Sequence, residues 1–301
     1  MSIKIVSDSS ANLIGQSSIR VRLSMKPAAG GESISVCSNA IPYASAPLTI
    51  VAENADKYYR DDESLNVHAM LSELASITCP TKTACPGPGD WLEAFGDADE
   101  IIVISLTGAL SGACNSARNA AAIYTEDHPN ARIHVFDSLS TGPELELLIE
   151  KCADWIANEF SFDDIVNLLA AYSTHTHLAF SLESLQNFAN NGRVNPALAK
   201  LVKMMHVRIV GRASAAGELE AQHKCPGRKK ALSQLFENML QEGYAGGKVR
   251  IRHTENPEMA EALKSMILEQ FPQSDVTISE NAGLCAFYTE RGGLLAGYEC
   301  R

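Results

Sequence analysis

Ile101-Ile102-Val103-Ile104-Ser105-Leu106-Thr107-Gly108-Ala109-Leu110-Ser111-Gly112 is the stretch on which the fold turns. Four apolar residues in a row, without alternation, predict a strand covered on both faces, as in a parallel sheet flanked by helices. A short loop then leads into a helix of small residues that runs from near Ser111 through Ala122. In an open α/β sheet, the loops that join strand ends to helix N-termini form the ligand edge. The first turn of such a helix offers unpaired N–H groups and the positive end of its dipole, which suit a phosphate or a carboxylate. Ser111 adds a hydroxyl, and Gly112 lacks a side chain that would block close approach. Ser111 also fits the part of an ordinary N-cap, so the spacing alone leaves both roles open.

The α/β pattern spreads outward from there. Ile3–Val6 reads as a strand ending in the polar turn Ser7-Asp8-Ser9-Ser10, Ile19–Leu23 as a second strand, and Leu48–Val51 as another short one. Ser64–Ala75 has helical spacing, 78–89 is a loop rich in Pro, Gly and Thr, and Asp90 is placed to cap a helix containing Trp91, Leu92 and Phe95. Ile133–Phe136 is a further strand. Its turn, Asp137-Ser138-Leu139-Ser140-Thr141-Gly142, aims at the same edge as the Ser7–Ser10 turn and the Ser111 loop. Asp8, Ser9, Asp137 and Ser138 are therefore candidates for a polar rim, although Asp and Ser are also the common residues of turns. Glu144–Phe160 reads as a long helix leading out of this α/β part.

Beyond it the texture changes. His177–Phe180, Val207–Val210 and Lys248–Arg252 read as strands, Gly217-Glu218-Leu219 as a hairpin turn, and 196–205, 229–241 and 257–271 as helices. The mixture predicts an α+β domain over 161–301, after an α/β domain with a mostly parallel sheet over 1–160. A length of 301 residues suits two domains.

Composition excludes several function classes. With 46% hydrophobic residues and 20% charged, the chain reads as a packed globular protein. A net charge of −11 and only the local triplet Arg228-Lys229-Lys230 argue against nucleic acid. The eight cysteines include no Cys-x-x-Cys pair, so neither a disulfide framework nor a metal site is expected. The opening Met1-Ser2-Ile3-Lys4 does not resemble a secretory signal, and no apolar run is long enough to span a bilayer; a cytoplasmic protein is expected. No hydroxyl pairs with a His, Lys or Cys in a nucleophile arrangement, and Gly87-Pro88-Gly89 is not a phosphate-binding loop.

Six segments in order carry a resemblance. They are Ile5–Leu13, Lys82-Thr83-Ala84-Cys85-Pro86 with Gly89–Phe95, Leu110–Ala117, Val135–Ser138, Ser184-Leu185, and Asn191-Gly192-Arg193-Val194. Together they resemble the DegV family of bacterial fatty-acid-binding proteins over nearly the whole chain. The resemblance implies a Rossmann-like N-terminal domain, a smaller C-terminal domain, and one long-chain fatty acid such as palmitate as ligand, with no cofactor. It implies that Thr83 and Ser111, with the Gly112 N–H, hold the carboxylate. It further implies a non-catalytic carrier that presents the acid to a separate ATP-dependent kinase subunit for acyl phosphate formation. Arg193 is then a candidate for docking that partner, or else a member of a structural ion pair.

The chain departs from the family pattern at two places. Thr83-Ala84-Cys85-Pro86 keeps only the first and last residues of the family's Thr-Ser-Gln-Pro. Near the C-terminus, Phe287–Gly293 lacks the His that the family often shows before a Gly-Pro-Gly-like turn; either Thr289 or Tyr288 takes its part or that step is missing. Phe180, Leu182, Leu185, Leu201, Met204, Met205, Leu284 and Phe287 are candidates to line the acyl chain, Met because its thioether adapts to flexible ligands. His175 and His177 read as structural or exposed. The rival function is a phosphate- or nucleotide-binding phosphotransfer enzyme, since the same helix N-terminus suits phosphate; the missing phosphate loop and metal carboxylates weigh against it.

Overall fold

The computed structural model describes residues 3–24, 36–77 and 79–301. Met1 and Ser2 of the opening, and Thr78 at the head of the expected loop, lie outside the described residues. In the first half the order is β1 (Ile3–Asp8), β2 (Ser18–Ser24), β3 (Val36–Ala46), β4 (Thr49–Ala52), β5 (Lys57–Arg60), α1 (Val67–Ser76), β6 (Lys82–Ala84) and α2 (Pro88–Phe95). It continues with β7 (Glu100–Ser105), α3 (Ala113–Asp127), β8 (Arg132–Asp137), α4 (Pro143–Ala157) and α5 (Phe162–Tyr172). The second half runs β9 (Thr176–Leu182), α6 (Gln186–Asn190), α7 (Pro196–Met205), β10 (Arg208–Ala213), β11 (Leu219–Cys225), α8 (Arg228–Gln241) and β12 (Lys248–His253). It ends with α9 (Pro257–Gln270), β13 (Asp275–Glu280), α10 (Gly283–Thr289) and β14 (Leu294–Glu299).

The first sheet has the order β2-β3-β1-β7-β8 and is parallel except for the β2–β3 pair. β7 lies inside it, between β1 and β8, and its Ile101, Ile102, Val103 and Ile104 are all fully buried, as the unbroken apolar run predicts. Each such side chain contributes about 1.5–3 kcal/mol of burial. The second sheet has the order β11-β10-β9-β14-β12-β13 and is antiparallel except for β12–β13. The fold is thus a mixed α/β architecture with a mostly parallel first sheet and a second sheet region, as expected.

Helix α4 joins the two. Leu145, Leu148, Ile149 and Cys152 enter the core of the first sheet. Its carboxylates meet β12: Glu146 accepts from Arg252 at 2.9 and 3.0 Å, and Glu150 takes a bidentate pair from Arg250 at 2.7 Å. Phe162, Ile165 and Leu169 of α5 pack into the same first core.

The structure departs from the expected elements in several places, and it adds β5, β13, β14, α5, α6 and α10 to them. The loop expected over 78–89 contains β6, which pairs with β4 in a third, antiparallel sheet of order β5-β4-β6. Helix α2 starts at Pro88, so Asp90 sits inside its first turn and accepts from the Gly87 N–H at 2.8 Å rather than capping from outside. Proline at the first helical position is the reason, because it tolerates the missing donor there. Strand β3 was not anticipated; Val36-Cys37-Ser38-Asn39-Ala40-Ile41-Pro42 shows no period-two pattern, yet it pairs along its length with β2 and then with β1.

Candidate functional site

One apolar cavity lies where the two halves meet, with about 570 Å3 of empty space including its open mouth. The first half supplies Leu48, Thr83, Leu106, Leu110, Ser111 and Thr141; the second supplies Phe188, Arg193, Leu284, Cys285, Tyr288, Thr289 and Leu295. Thr83 and Ser111, 28 positions apart in the chain, thus share one wall.

Thr83 reaches the cavity through strand alternation: Lys82 and Ala84 face solvent, and Thr83 turns inward opposite Ile50 of β4. Asn191 fixes this strand by accepting from the Thr83 N–H at 3.2 Å and donating to the Thr81 carbonyl at 3.1 Å. Its side-chain amide therefore continues the sheet edge in place of a backbone peptide. The Thr83 hydroxyl lies 2.7 Å from the Tyr288 hydroxyl. One hydrogen bond between two hydroxyls uses one proton, so a second O–H is left to donate to a ligand oxygen. Burial raises the Tyr288 phenol above its usual range, which keeps it protonated.

Ser111 stands one residue before the N-cap, which is Gly112. Its Oγ accepts from the Ala113 N–H at 3.2 Å, so the capping part and an outward donor part are compatible: the oxygen serves the helix while the O–H proton is left over. A Cβ on Gly112 would meet the Cys85 sulfur at 3.2 Å, which makes this turn a tight one against the residue that follows β6. Gly112 is not itself in the cavity wall.

Arg193 lies in the same wall, half-buried, with its guanidinium donating to the carbonyls of Leu110, at 3.0 Å, and Asn191. Among the described residues it has no carboxylate partner, so the structural ion pair considered for it is not formed. Thr289 also lines the cavity, but its hydroxyl donates to the Cys285 carbonyl at 2.7 Å and bonds Thr254 at 2.7 Å. Of the two candidates for the absent His, it is Tyr288 whose polar atom meets Thr83.

The four rim candidates stand behind the wall. Asp8 is fully buried and accepts from the Leu106 N–H at 2.8 Å and the hydroxyls of Ser10 at 2.5 Å and Ser105 at 3.0 Å. Ser9 accepts from the Leu48 N–H at 3.0 Å. Asp137 accepts from the Gly108 and Leu139 N–H groups, and Ser138 closes the turn to Ser140. These residues hold Leu48, Leu106 and the loop before Thr141 in place.

Of the residues expected along an acyl chain, Leu284 alone lines the cavity. Phe180, Leu182 and Leu185 are packed in the core between the second sheet and α6–α7, and Phe287 turns to α1 and Ile50. Helix α7 buries Ala199 and Val202, so Leu201, Met204 and Met205 point outward, with Met204 69% and Met205 54% exposed. Leu48, Thr141, Cys285 and Leu295 were not singled out by sequence. His177 is half-buried beside Tyr298. Among the described residues no cluster of His, Cys, Asp or Glu could hold a metal ion, and no helix is long and apolar enough to cross a membrane.

A wall of leucines with hydroxyl donors on it defines a protein that takes an amphipathic ligand: an apolar body with an acidic or polar end. The DegV family sequence signature matches residues 44–297. A DegV domain-containing protein of Streptococcus pneumoniae is 41% identical over 257 residues, 85% of this chain and 91% of that protein. A DegV family protein from Eubacterium eligens, solved loaded with heptadecanoic acid, matches at 37% identity with a TM-score of 0.87 over all of both chains. The Streptococcus pneumoniae fatty acid kinase (Fak) B3 protein, loaded with linoleic acid, matches at 38% with a TM-score of 0.89, again over all of both. The chain belongs to the DegV family.

Proposed function

We propose that this protein binds one long-chain fatty acid, with the carboxylate at Thr83, Ser111 and the Gly112 N–H and the tail along Leu48, Leu106, Leu110, Leu284 and Leu295. The observation that carries the reading is a cavity in which both hydroxyls share a wall with these leucines. Burying about fifteen methylenes at ~0.8 kcal/mol each gives roughly 12 kcal/mol gross. A hydrogen bond to a carboxylate adds about 1.5–3 kcal/mol. The tail therefore supplies affinity, and the hydroxyls set direction and depth. Tyr288 takes the place of the family's His by ordering Thr83.

Hydroxyls solvate a carboxylate without locking it into an ion pair, so one oxygen stays open to chemistry. On this reading the protein is a cytoplasmic, non-catalytic carrier that presents the acid to a separate ATP-dependent kinase. Kinship with a fatty acid kinase B3 protein supports this. Arg193, beside the head group, would let that partner sense whether the cavity is filled. Residues 1–160 would carry the carboxylate site, and 161–301 would cover the tail together with Leu48, Leu106 and Leu110. Native mass spectrometry of protein purified from cells tests the reading: a co-bound fatty acid is expected, and a chain that carries none and takes none up after lipid is offered would overturn it.

A further inference from the structure

Helix α10 contributes Leu284, Cys285, Tyr288 and Thr289 to the cavity, yet its first turn is held by the opposite half of the protein. Asp61, at the end of β5 and only 1% exposed, accepts from the N–H groups of Gly283 at 2.7 Å and Leu284 at 2.9 Å. Asn12 accepts from the Ala282 N–H at 2.7 Å. Asp61 is bound in turn to the other side of the wall: its own N–H donates to the Leu48 carbonyl at 2.8 Å. The Leu48 N–H in turn donates to the Ser9 hydroxyl at 3.0 Å, which ties this edge to the turn after β1. Gly283 is fitted to this contact, since a Cβ there would lie 2.6 Å from Asp61 Oδ1 and 2.5 Å from Leu65 Cδ2.

We propose that Asp61 is a positioning residue for the carboxylate site: its two acceptor oxygens, seated against Gly283, fix the start of α10 and so hold Tyr288 against Thr83. This rests on the fatty-acid reading above and adds a residue outside the cavity to it. Leu284 to Tyr288 is one helical turn, and a rigid turn transmits a shift at its start directly to the Tyr288 ring. The requirement is for two acceptors. In Asp61→Asn the new amide would turn a donor toward one of the two N–H groups, leaving that backbone donor buried and unpaired. In Gly283→Ala the carboxylate itself would be displaced.

The test separates head from tail. Affinity for oleic acid and for methyl oleate is measured on delipidated wild type, Asp61→Asn and Gly283→Ala, with circular dichroism to confirm folding. Wild type should prefer the acid. Either variant should lose about tenfold of that preference: a shift of α10 carries Leu284 with it and weakens both ligands somewhat, and the acid loses the Tyr288–Thr83 head-group contact in addition. If one variant does not fold, the other decides. Preference retained in the folded variants, or equal weakening toward both ligands, would overturn the proposal and leave Asp61 a structural cap. A wild type that binds neither ligand would instead overturn the reading of the cavity, and this inference with it.

Discussion

The hydroxyls of Thr83 and Tyr288 lie 2.7 Å apart across the join of β6 and α10, two elements separated by most of the chain. If the pair orders the carboxylate, Tyr288→Phe leaves Thr83 free to rotate and removes one of the two protons. Fatty-acid affinity should fall about tenfold, near the loss of one hydrogen bond to a charged group. Calorimetric titration of delipidated protein checks it, and an unchanged affinity would mean that Tyr288 is wall alone.

The tail should be read by Leu110 and not by α7. Leu110 is half-buried in the cavity wall, whereas Met204 is mostly exposed. Leu110→Ala should weaken fatty-acid binding several-fold, about 1 kcal/mol for the methylenes no longer covered. Met204→Ala should leave the affinity measured with the isolated protein within about twofold. Equal effects of the two would misplace the tail.

Glu144 is buried at the start of α4, with the hydroxyls of Ser140 and Thr176 (2.8 Å) donating to it. Desolvation nevertheless pushes its carboxyl up from 4.5 to about 7. A carboxyl raised in the folded state stabilises fully below its unfolded value and loses that contribution as pH rises through the folded one. The loss between pH 4.5 and 7 is about 3 kcal/mol. Urea unfolding of Glu144→Gln against wild type should therefore show the variant gaining relative stability from pH 5 to pH 7.5. A difference independent of pH would count against this.

Arg252 and Glu146 form a nearly buried pair between β12 and α4. Removing one partner strands the other charge, so Arg252→Met should cost about 3–5 kcal/mol. Adding Glu146→Leu to it should recover much of that loss. Chemical denaturation of the two single variants and the double variant measures the coupling, and additive losses would show the pair to be independent.

The elements that local chemistry specifies were legible. The unbroken run Ile101–Ile104 marks a parallel strand covered on both faces, and Pro196 marks the start of α7, because both signals lie within a few adjacent residues. Thr83 and Ser111 were marked by the family resemblance. Tyr288 was named only as an alternative to Thr289, and nothing in the sequence brings it to Thr83, since that contact depends on how α10 docks on β4–β6. The clamp by Asn191 was hidden for the same reason: its spacing to Thr83 carries no period. Met204 and Met205 face outward for a reason that the sequence does not carry. Apolar residues surround α7 on more than one side, and only the packing of Ala199 and Val202 reveals which side is inward.

The central claim is most directly tested by titrating delipidated Thr83→Val/Ser111→Ala with a long-chain fatty acid and its methyl ester beside wild type. Wild type should prefer the acid, and the double variant should bind acid and ester about equally while keeping most of its ester affinity. A double variant that still prefers the acid as strongly as wild type would contradict it.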